Sequence, residues 1–466
     1  MTQWSKLREL VLKKIKPKPE EEIEIKNFSQ KLLITINTVL ENNNVSARAE
    51  VHGSVAHGTW LSGERDIDVF IILETNYDRR TLSSVLNLLR SNIEGEYVEA
   101  YAEHPYLKAS IDGYQVDLVP CFEIEEGMSI ISSTDRTPLH TMYLRDRLSK
   151  EMMDEVRLLK QFMKGVGVYG AEIKVGGFSG YLCELLILKY GSFISLLKAS
   201  SKWEKFEVIK LEPLNKEEET VKRFKDPLIV LDPIDSTRNV ASALTQSSFW
   251  NFVAAAQRFQ DDPKLNYFFK AKIDSNPDAI KDLIHSRETD ILFLIIEEAK
   301  AEVPDSLWGQ LLKSRLALES LFSKNDFVVL RSSVWSNEES RHIFIFELES
   351  NSVPSVELHM GPPVNMKANS DSFIASHMNS DQTVAGPEIK DARWIVLRKR
   401  QINDAATLLR ESLYDGGINI GVSSKLAVKI LQHHRILQNN EISDYLVNDF
   451  CDHIHRFLIG RPDWIE

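Results

Sequence analysis

The stretch from Gly53 to Leu73 places the strongest limits on how this chain can fold. It reads as a Gly-Ser turn, a short polar segment, and then a strand in which Asp66 and Asp68 lead into the apolar run Val-Phe-Ile-Ile-Leu. Successive side chains of a strand point to opposite faces, so the two aspartates point the same way. The strand is therefore expected to begin with one concentrated patch of negative charge.

Two neighbouring carboxylates repel each other and are costly in a strand unless a cation neutralises them. A hard divalent ion, held by carboxylate oxygens and by the phosphates of a substrate, would do so. The turn at Gly53 and Ser54 suits a phosphate, because glycine lets the backbone approach closely and a hydroxyl can donate a hydrogen bond. An Asp-x-Asp pair alone is weak, since loop or cap aspartates are its ordinary explanation. The aspartate pair and the Gly-Ser turn occur together within one short stretch, and this combination favours a metal-dependent nucleotide site.

A third aspartate, Asp117, lies in a predicted strand from Tyr114 to Val119, and Asp112 with Gly113 predicts a hairpin turn before it. A lone charge in an apolar strand needs a partner, although a satisfied turn aspartate is the alternative. Three aspartates on adjacent strands would supply ligands for two metal ions. Such a pair can activate an attacking hydroxyl and stabilise the leaving oxygen in a phosphoryl displacement.

Length and composition limit the class of protein. The 466 residues are too many for one core, and a net charge of −12 weighs against a protein that coats nucleic acid, although local basic patches can still bind it. The three cysteines lie far apart without metal-ligand spacing, which predicts reduced thiols and a cytoplasmic location. We find no apolar run of transmembrane length and no signal-peptide pattern, so no membrane is expected.

Hydrophobic periodicity, together with the residues that break helices and form turns, predicts the remaining helices and strands. Helices are predicted at Gln3–Ile15, from Glu20 to the cluster at Asn42, and at Thr81–Ile93, Glu151–Met163 and Tyr181–Tyr190. Strands are predicted at Ala47–Val51, Tyr97–Ala102, Leu107–Ile111, Asp326–Trp335, His342–Leu348 and Trp394–Leu397. Further helical segments are predicted in a run from Val240, through most of Phe249–Leu321, and at Asn403–Leu413 and Ser423–Leu437, with an irregular segment at Met366–Glu388.

Several later residues leave alternatives open. Lys160 falls near an apolar helix face and could either extend to solvent or meet an anion. Asp235 or Ser236 is a natural N-cap for the run from Val240, and Arg238 in its first turn could face a ligand. A basic cluster beside Trp394 is either a solvated face or a phosphate-contacting surface. Its members are Arg393, Arg398, Lys399 and Arg400.

These residues carry a resemblance. Gly53-Ser54, Asp66-Ile-Asp68 and the later Asp117 resemble the catalytic core of the DNA polymerase beta-like nucleotidyltransferase superfamily. The chain is also similar to class I, archaeal-type CCA-adding tRNA nucleotidyltransferases in four further motifs. They are Gly-Thr-Trp-Leu, Asp-Arg-Thr-Pro-Leu-His ending at His140, Gly-Phe-Ser-Gly-Tyr-Leu-Cys-Glu, and Asp-Pro-Ile-Asp-Ser-Thr-Arg-Asn. The clear motifs span about the first half of the chain.

The resemblance implies an α+β multidomain protein that adds C, C and A to the 3′ end of tRNA from CTP and ATP. It implies a nucleotidyltransferase head at 1–147, a helical neck at 148–255, a first part of the body at 256–322, a tRNA-binding tail at 323–402 and closing body helices at 403–466. The tail would grip the acceptor and T stems by shape and backbone. A homodimer is left open.

The resemblance also implies site residues. Asp66, Asp68 and Asp117 would be catalytic and bind Mg²⁺, in a two-metal mechanism. The nucleotide would be held by Gly53, Ser54, His57, His140, Lys160, Tyr169, Arg238 and Asp235, with Arg238 facing the base. Family members commonly have arginine or lysine where this chain has His57. A histidine is only partly charged near neutral pH, so triphosphate binding is expected to be weaker or pH-sensitive.

Two other functions fit the same superfamily features. One is a nucleotidyltransferase of different specificity, such as a poly(A) polymerase or an oligoadenylate synthetase, against which the motifs around Gly177 and Arg238 argue. The other is a non-catalytic RNA-binding protein on this scaffold. The three aspartates argue against it, because such a scaffold has no need of clustered carboxylates.

Overall fold

The computed structural model describes residues 3–101, 105–124, 133–213, 222–270, 276–297 and 302–465. Helices and strands are interspersed along the chain, which confirms the predicted α+β multidomain class. The chain forms two compact units, Met1–Lys272 with Pro462–Glu466, and Ile273–Arg461. Each unit contains hydrophobic cores of its own. The finer division into head, neck, body and tail stays a prediction.

The helices of the first unit are α1 (Gln3–Ile15), α2 (Pro19–Asn42), α3 (Gly53–His57), α4 (Arg79–Asn92), α5 (Arg136–Arg145), α6 (Lys150–Val166), α7 (Gly180–Tyr190), α8 (Phe193–Ser200) and α9 (Gln246–Asp261). Its strands are β1 (Ala47–His52), β2 (Asp66–Leu73), β3 (Glu96–Tyr101), β4 (Pro105–Ile111), β5 (Tyr114–Phe122), β6 (Glu207–Ile209) and β7 (Leu228–Val230). The predicted elements before Tyr190 are thus confirmed, with shifts of a few residues at their ends; Ala102 lies outside the described residues.

The first unit is built on a sheet with the strand order β1-β2-β5-β4-β3. β2 and β5 run parallel, whereas the other neighbouring strands run antiparallel. One face of β2 packs Ile67 and Val69 into a core shared with α2 and α4. The opposite face carries Asp66 and Asp68, with Phe70 beyond them in a smaller apolar cluster. The alternation that the sequence predicts for the aspartates is therefore present in the strand.

Helices α6 to α9 surround a second core of the first unit. Ser149 begins α6 by accepting a hydrogen bond from the Met152 amide, and Gly167 ends it with φ of 84°. Phe162, on the buried face of α6, lies with its ring centroid 5.4 Å from that of Phe193 and 5.4 Å from that of Phe259. This aromatic packing holds α6 firmly, so side chains projecting from α6 have fixed positions.

One helix pair of this core has the length and apolar character of a membrane-spanning segment only when its two helices are counted together. Within the described ranges, no single helix is both long and apolar enough to cross a membrane. The bent pair α7 and α8 reaches the required length when both helices are counted, with a bend of 92° between them. The apolar residues of α7 belong to the core described above.

The helices of the second unit are α10 (Pro277–His285), α11 (Pro304–Lys324), α12 (Lys367–Met378), α13 (Ala405–Ser412), α14 (Ser424–Gln432) and α15 (Asn448–Ile459). Its strands are β8 (Asp290–Glu297), β9 (Val329–Ser336), β10 (Arg341–Leu348), β11 (Val356–Pro363), β12 (Thr383–Lys390), β13 (Arg393–Lys399) and β14 (His434–Gln438). They form two sheets, with the orders β14-β8-β10-β9 and β11-β13-β12.

Two predicted helical segments each contain a strand that was not predicted. The segment Phe249–Leu321 is mostly helical, as expected, but it also contains β8, whose apolar run is buried on both faces, and such a run carries no period that separates helix from strand. The segment Ser423–Leu437 is helical only to Gln432, since β14 then pairs with β8. Tertiary pairing outweighs local propensity in both segments.

The prediction of an irregular segment at Met366–Glu388 is also wrong. It forms α12 and most of β12. α12 packs on its sheet where Gly361 leaves room, because a Cβ there would lie 2.6 Å from the ring of Phe373. The helix lacks the apolar stripe that predicts a surface helix, so it could not be recognised from the hydrophobic pattern of its residues.

The basic cluster of β13 is largely neutralised within its own unit. Arg398 donates to Glu357 at 2.7 Å, and Arg400 forms ion pairs with Asp326 at 2.8 Å and with Glu357 at 3.1 Å. Arg393 donates to the carbonyl of Gly361. Much of the cluster thus has a structural explanation, and Lys399 is its most exposed member.

Candidate active site

The parallel pairing of β2 with β5 brings the three aspartates together. The register places Asp68 directly opposite Asp117, with Asp66 two residues earlier on the same face. Burial and the charges of Asp117 and Asp66 raise the pKa of Asp68 to about 6. Burial also raises the pKa of Asp117 and, with the charge of Glu64, that of Asp66. The three carboxylates therefore form one strained anionic cluster.

The chemistry of this cluster fits a hard divalent cation. In the described residues, no Lys or Arg forms an ion pair with any of the three carboxylates. The charges of Lys108, Lys160 and Lys164 lower their pKa values, but burial and mutual repulsion outweigh this effect. Carboxylate oxygens are the ligands that Mg²⁺ prefers. The same part of the chain contains no ready-made group of three or more His, Cys, Asp or Glu ligands at metal-binding distance. The carboxylate oxygens therefore suit Mg²⁺ as ligands, although the described residues form no complete metal-binding group in advance of the ion.

Gly53 is required by the position of Asp68. It has φ of +63°, and a Cβ at this position would lie 1.9 Å from Asp68 Oδ2. Gly53 begins the short helix α3, where the sequence predicted a Gly-Ser turn. Because β1 pairs with β2, the end of β1 delivers Gly53 and Ser54 to the edge of the carboxylate cluster. Glycine is used here for close approach and for its positive φ.

A cleft of about 410 Å³ opens beside this cluster. The predicted residues that line it are Gly53, Ser54, His57, Asp68, His140, Lys160, Tyr169 and Arg238. It is also lined by residues to which no role was given from sequence, namely Arg136, Thr137, Thr141, Ser179, Gly180, Tyr181 and Glu184. Asp66, Asp117 and Asp235 lie outside this lining. A larger cavity of about 620 Å³, lined by Ile25, Leu33 and Trp60 among others, contains none of the predicted site residues.

His57 lies in the cleft wall but is buried, with 6% of its surface exposed. Its Nδ1 is 3.0 Å and 3.1 Å from the two carboxylate oxygens of Glu184, and its Nε2 is 3.2 Å from Thr141 Oγ1. The sequence marked His57 but not its partners. Glu184 did leave a signal, because an acid in the apolar helix α7 needs an explanation.

Lys160 is also buried and does not extend to solvent. Its Nζ donates to the carbonyl oxygen and to Oγ1 of Thr59, both at 3.2 Å. Tyr169 lies nearby, since a Cβ at Gly180 would be 3.2 Å from its hydroxyl and 3.7 Å from Lys160 Nζ. Burial raises the pKa of Tyr169 well above its ordinary value. Its hydroxyl therefore stays protonated and able to donate.

His140 and Arg238 are joined by Asp232. The Asp232 carboxylate accepts from His140 Nε2 at 2.9 Å and from Arg238 Nη1 at 2.8 Å. Burial raises the pKa of Asp232, but the hydrogen bond and charge of His140, with further hydrogen bonds from Ile234 and Arg238, lower it to about 2. The ring of Tyr181 stacks on His140 at 4.2 Å. In the sequence, Asp232 was only the first residue of a motif and was given no role.

The expectation that Arg238 lies in the first turn of a helix capped by Asp235 is wrong. Residues after Val240 form turns, and the next helix, α9, is capped by Thr245. Asp235 instead accepts hydrogen bonds from Thr237 and forms an ion pair with Arg136 at 2.9 Å. Asp235 thus positions a cleft cation, while Arg238 is held at the cleft by Asp232.

The fold of the first unit and its strand carboxylates place the chain among the nucleotidyltransferases. Three family models match it: "Nucleotidyltransferase domain" at residues 33–140, "tRNA nucleotidyltransferase, second domain" at 154–269, and "CCA-adding enzyme, C-terminal domain" at 287–439. The chain belongs to the family of CCA-adding enzymes, as full-length relatives establish. It is an enzyme of this family, and the resemblance drawn from its motifs is confirmed.

Among these relatives, the CCA-adding enzyme of Pyrobaculum islandicum is 37% identical over 412 residues, which are 88% of this chain and 94% of that protein. The CCA-adding enzyme of Methanosarcina barkeri is 33% identical over 460 residues, which are 97% of this chain and 98% of that protein. Solved structures of the Cid1 poly(U) polymerase include one with a TM-score of 0.47 and 16% identity, covering 58% of this chain and 99% of that one. That likeness is too weak to bear on function.

Proposed function

We propose that this chain adds C, C and A, in that order and without a template, to the 3′ end of tRNA. CTP and ATP are the substrates and pyrophosphate is released. Family membership supports the overall reaction. The observation that carries it in this chain is the register of β2 and β5, which sets Asp68 beside Asp117 at the edge of a cleft that also contains Lys160 and Arg238.

In the reaction, the 3′-hydroxyl of tRNA attacks the α-phosphate of the nucleotide, and the bond to the β-phosphate breaks. Catalysis of this kind rests on positioning and charge neutralisation. Asp66, Asp68 and Asp117 would hold Mg²⁺, which supplies positive charge to the attacking and leaving oxygens. Asp117 is the carboxylate we assign to accept the hydrogen bond of the attacking hydroxyl, since it lies on β5 directly opposite Asp68. Lys160 and His140 offset the charge that builds on pyrophosphate.

Nucleotide selection is assigned to Arg238. Asp232 occupies one of its N–H groups at 2.8 Å, and a guanidinium has five such donors in a fixed plane. The side chain is 37% exposed, so donors remain for the edge of a base. Gly53, Ser54, His57 and Tyr169 are assigned to the triphosphate, because they line the same cleft.

The remaining parts of the proposal concern the tRNA partner and the cellular location. Residues 323–402 are assigned to the acceptor and T stems of tRNA, read by shape and backbone. Because Arg398 and Arg400 are already paired with acids, we assign phosphate contacts first to exposed groups such as Lys399. A cytoplasmic location completes the proposal, and the possible homodimer stays open.

The experiment that tests it offers the purified protein tRNA transcripts lacking the terminal CCA, with Mg²⁺ and each nucleoside triphosphate singly and mixed. We expect three nucleotides to be added in the order C, C, A and no more. Continued addition of A would instead support a poly(A) polymerase. No incorporation under any condition would support an RNA-binding scaffold.

The matched control is Asp68→Ala. It removes one carboxylate from the cluster but lies outside the region assigned to tRNA. Incorporation should disappear while tRNA binding, measured by filter retention or gel shift, persists. Activity retained in this variant would contradict the assignment of the carboxylate cluster.

A further inference from the structure

Glu184 is the least expected side chain around the cleft. It lies on α7 among Leu182, Cys183, Leu185 and Leu186, all of them buried, and only 2% of its own surface is exposed. An isolated carboxylate in such surroundings is strongly unfavourable unless charges and hydrogen bonds compensate it. Its retention in an apolar helix therefore requires a specific arrangement of partners.

Those partners come from α3 and the residues that follow it. Glu184 contacts His57 Nδ1 at 3.0 Å and accepts a hydrogen bond from Thr59 Oγ1 at 2.5 Å. Burial raises the pKa of Glu184, but hydrogen bonds and the charges of His57 and Lys160 lower it below its ordinary value. An ionised carboxylate can only accept, so His57 Nδ1 carries a proton and donates. This fixes the ring and turns its Nε2 edge to Thr141.

The same carboxylate orders Lys160 through Thr59. Because the Thr59 hydroxyl gives its proton to Glu184, its oxygen is left as an acceptor, and Lys160 Nζ donates to it at 3.2 Å. Lys160 Nζ also donates to the Thr59 carbonyl at 3.2 Å. An ammonium group has three N–H donors, so one remains for the cleft that Lys160 lines.

We propose that Glu184 is a positioning residue, which fixes the ring of His57 directly and Lys160 through Thr59, so that Lys160 presents its remaining N–H donor to the triphosphate of the incoming nucleotide. This rests on the proposed function and deepens it, because it assigns the arrangement of the phosphate site to a buried side chain that need not touch the substrate. Without the carboxylate, His57 loses its tautomer and orientation, and Thr59 loses the direction of its hydroxyl.

The test uses binding of inorganic tripolyphosphate with Mg²⁺, measured by calorimetry on the full-length protein. Glu184→Gln keeps the shape of the side chain but removes its charge. We expect its Kd for tripolyphosphate to rise about tenfold or more, the size of a lost charge-assisted hydrogen bond. Thr59→Val should weaken binding similarly, whereas Thr59→Ser, which keeps the hydroxyl, should stay near wild type. The double variant Glu184→Gln with Thr59→Val should be little worse than either single variant.

Glu347→Gln is the matched control. Glu347 is a buried glutamate of the second unit, 3% exposed and paired with Arg287 and Arg331. It should lower the melting temperature without changing tripolyphosphate affinity. If Glu184→Gln does not fold, the comparison of Thr59→Val with Thr59→Ser tests the proposal in its place. The proposal is overturned if Glu184→Gln or Thr59→Val binds tripolyphosphate like wild type, if Thr59→Ser is as weak as Thr59→Val, or if Glu347→Gln weakens binding equally.

The proposed function can fail separately. If the wild-type protein adds no CCA but the variants lose tripolyphosphate affinity as expected, the positioning role stands and the reaction is wrong. If the wild-type protein adds CCA but the variants bind tripolyphosphate normally, the reaction stands and the positioning role is wrong.

Discussion

Asp68→Asn should stabilise the metal-free protein while abolishing nucleotide addition. Burial, with the charges of Asp117 and Asp66, raises the pKa of Asp68 from its ordinary 3.8 to about 6. A shift of this size means that holding Asp68 ionised in the folded protein costs about 3 kcal/mol at pH 8. Asparagine has the same shape and no charge, so it relieves this cost. The gain should appear as a rise of about 5 °C or more in the melting temperature of the first unit.

The pH dependence of the folding stability follows from the direction in which folding shifts the pKa of Asp68. Since the pKa is raised on folding, folded Asp68 holds its proton more tightly than unfolded Asp68, and wild-type stability falls as pH rises from about 4 to about 6. The advantage of the variant is therefore fully present above about pH 6 and smaller below it. It should shrink by about half at pH 5 and largely vanish at pH 4.

The assay is differential scanning calorimetry in EDTA at pH 8 and pH 5, repeated at pH 8 with Mg²⁺. Glu94→Gln, which removes an exposed acid from the same unit, controls for net charge. Mg²⁺ should raise the melting temperature of the wild type more than that of Asp68→Asn, because binding to the folded state adds stability. The reasoning is refuted if Asp68→Asn gives no rise in EDTA at pH 8, or if its gain is as large at pH 5.

Two further changes test the surroundings of the cluster. Gly53→Ala should destabilise the first unit and abolish nucleotide addition, because its Cβ would lie 1.9 Å from Asp68 Oδ2 at a φ of +63°; near-normal activity, with melting as in a Gly191→Ala control whose added Cβ meets no atom, would contradict this. His57→Ala should weaken the binding of CTP, because it removes the buried side chain that contacts Glu184 and Thr141 in the cleft wall. A comparison of the CTP affinity of the wild type and the variant decides the point, and equal affinity would contradict a role of His57 in nucleotide binding.

The carboxylate cluster could be predicted because its cause is local. Strand periodicity places Asp66 and Asp68 on one face, and the turn at Gly113 sets up the hairpin that leads into the strand of Asp117. What the sequence could not provide was the parallel pairing of β2 with β5, which decides that Asp117 meets Asp68. That choice depends on the packing of the whole sheet.

The partners of His57 show where sequence reasoning ends. Glu184 lies 127 residues from His57 along the chain, and Thr141 lies 84 residues away. No local pattern encodes such contacts. Glu184 and Asp232 each belong to a motif of the resemblance, but the motifs gave neither residue a role. Composition adds a signal for Glu184, since a carboxylate among buried aliphatic residues must be compensated. It adds none for Asp232, because an aspartate before proline is ordinary in a turn.

Charge pairing around the cleft bears on the form in which a nucleotide enters it. Arg136 is paired with Asp235, Arg238 with Asp232, and His57 with Glu184. The protein has thus already balanced much of the cleft's positive charge, whereas the strand carboxylates have no such ion pair in the residues described. A free triphosphate would bring more negative charge to a site in which burial and mutual repulsion already raise the pKa of Asp68. A triphosphate that carries Mg²⁺ meets the opposite situation, since its cation relieves the carboxylates while its oxygens take up the N–H donors that remain. The arrangement therefore favours joint binding of nucleotide and metal, each raising the affinity of the other.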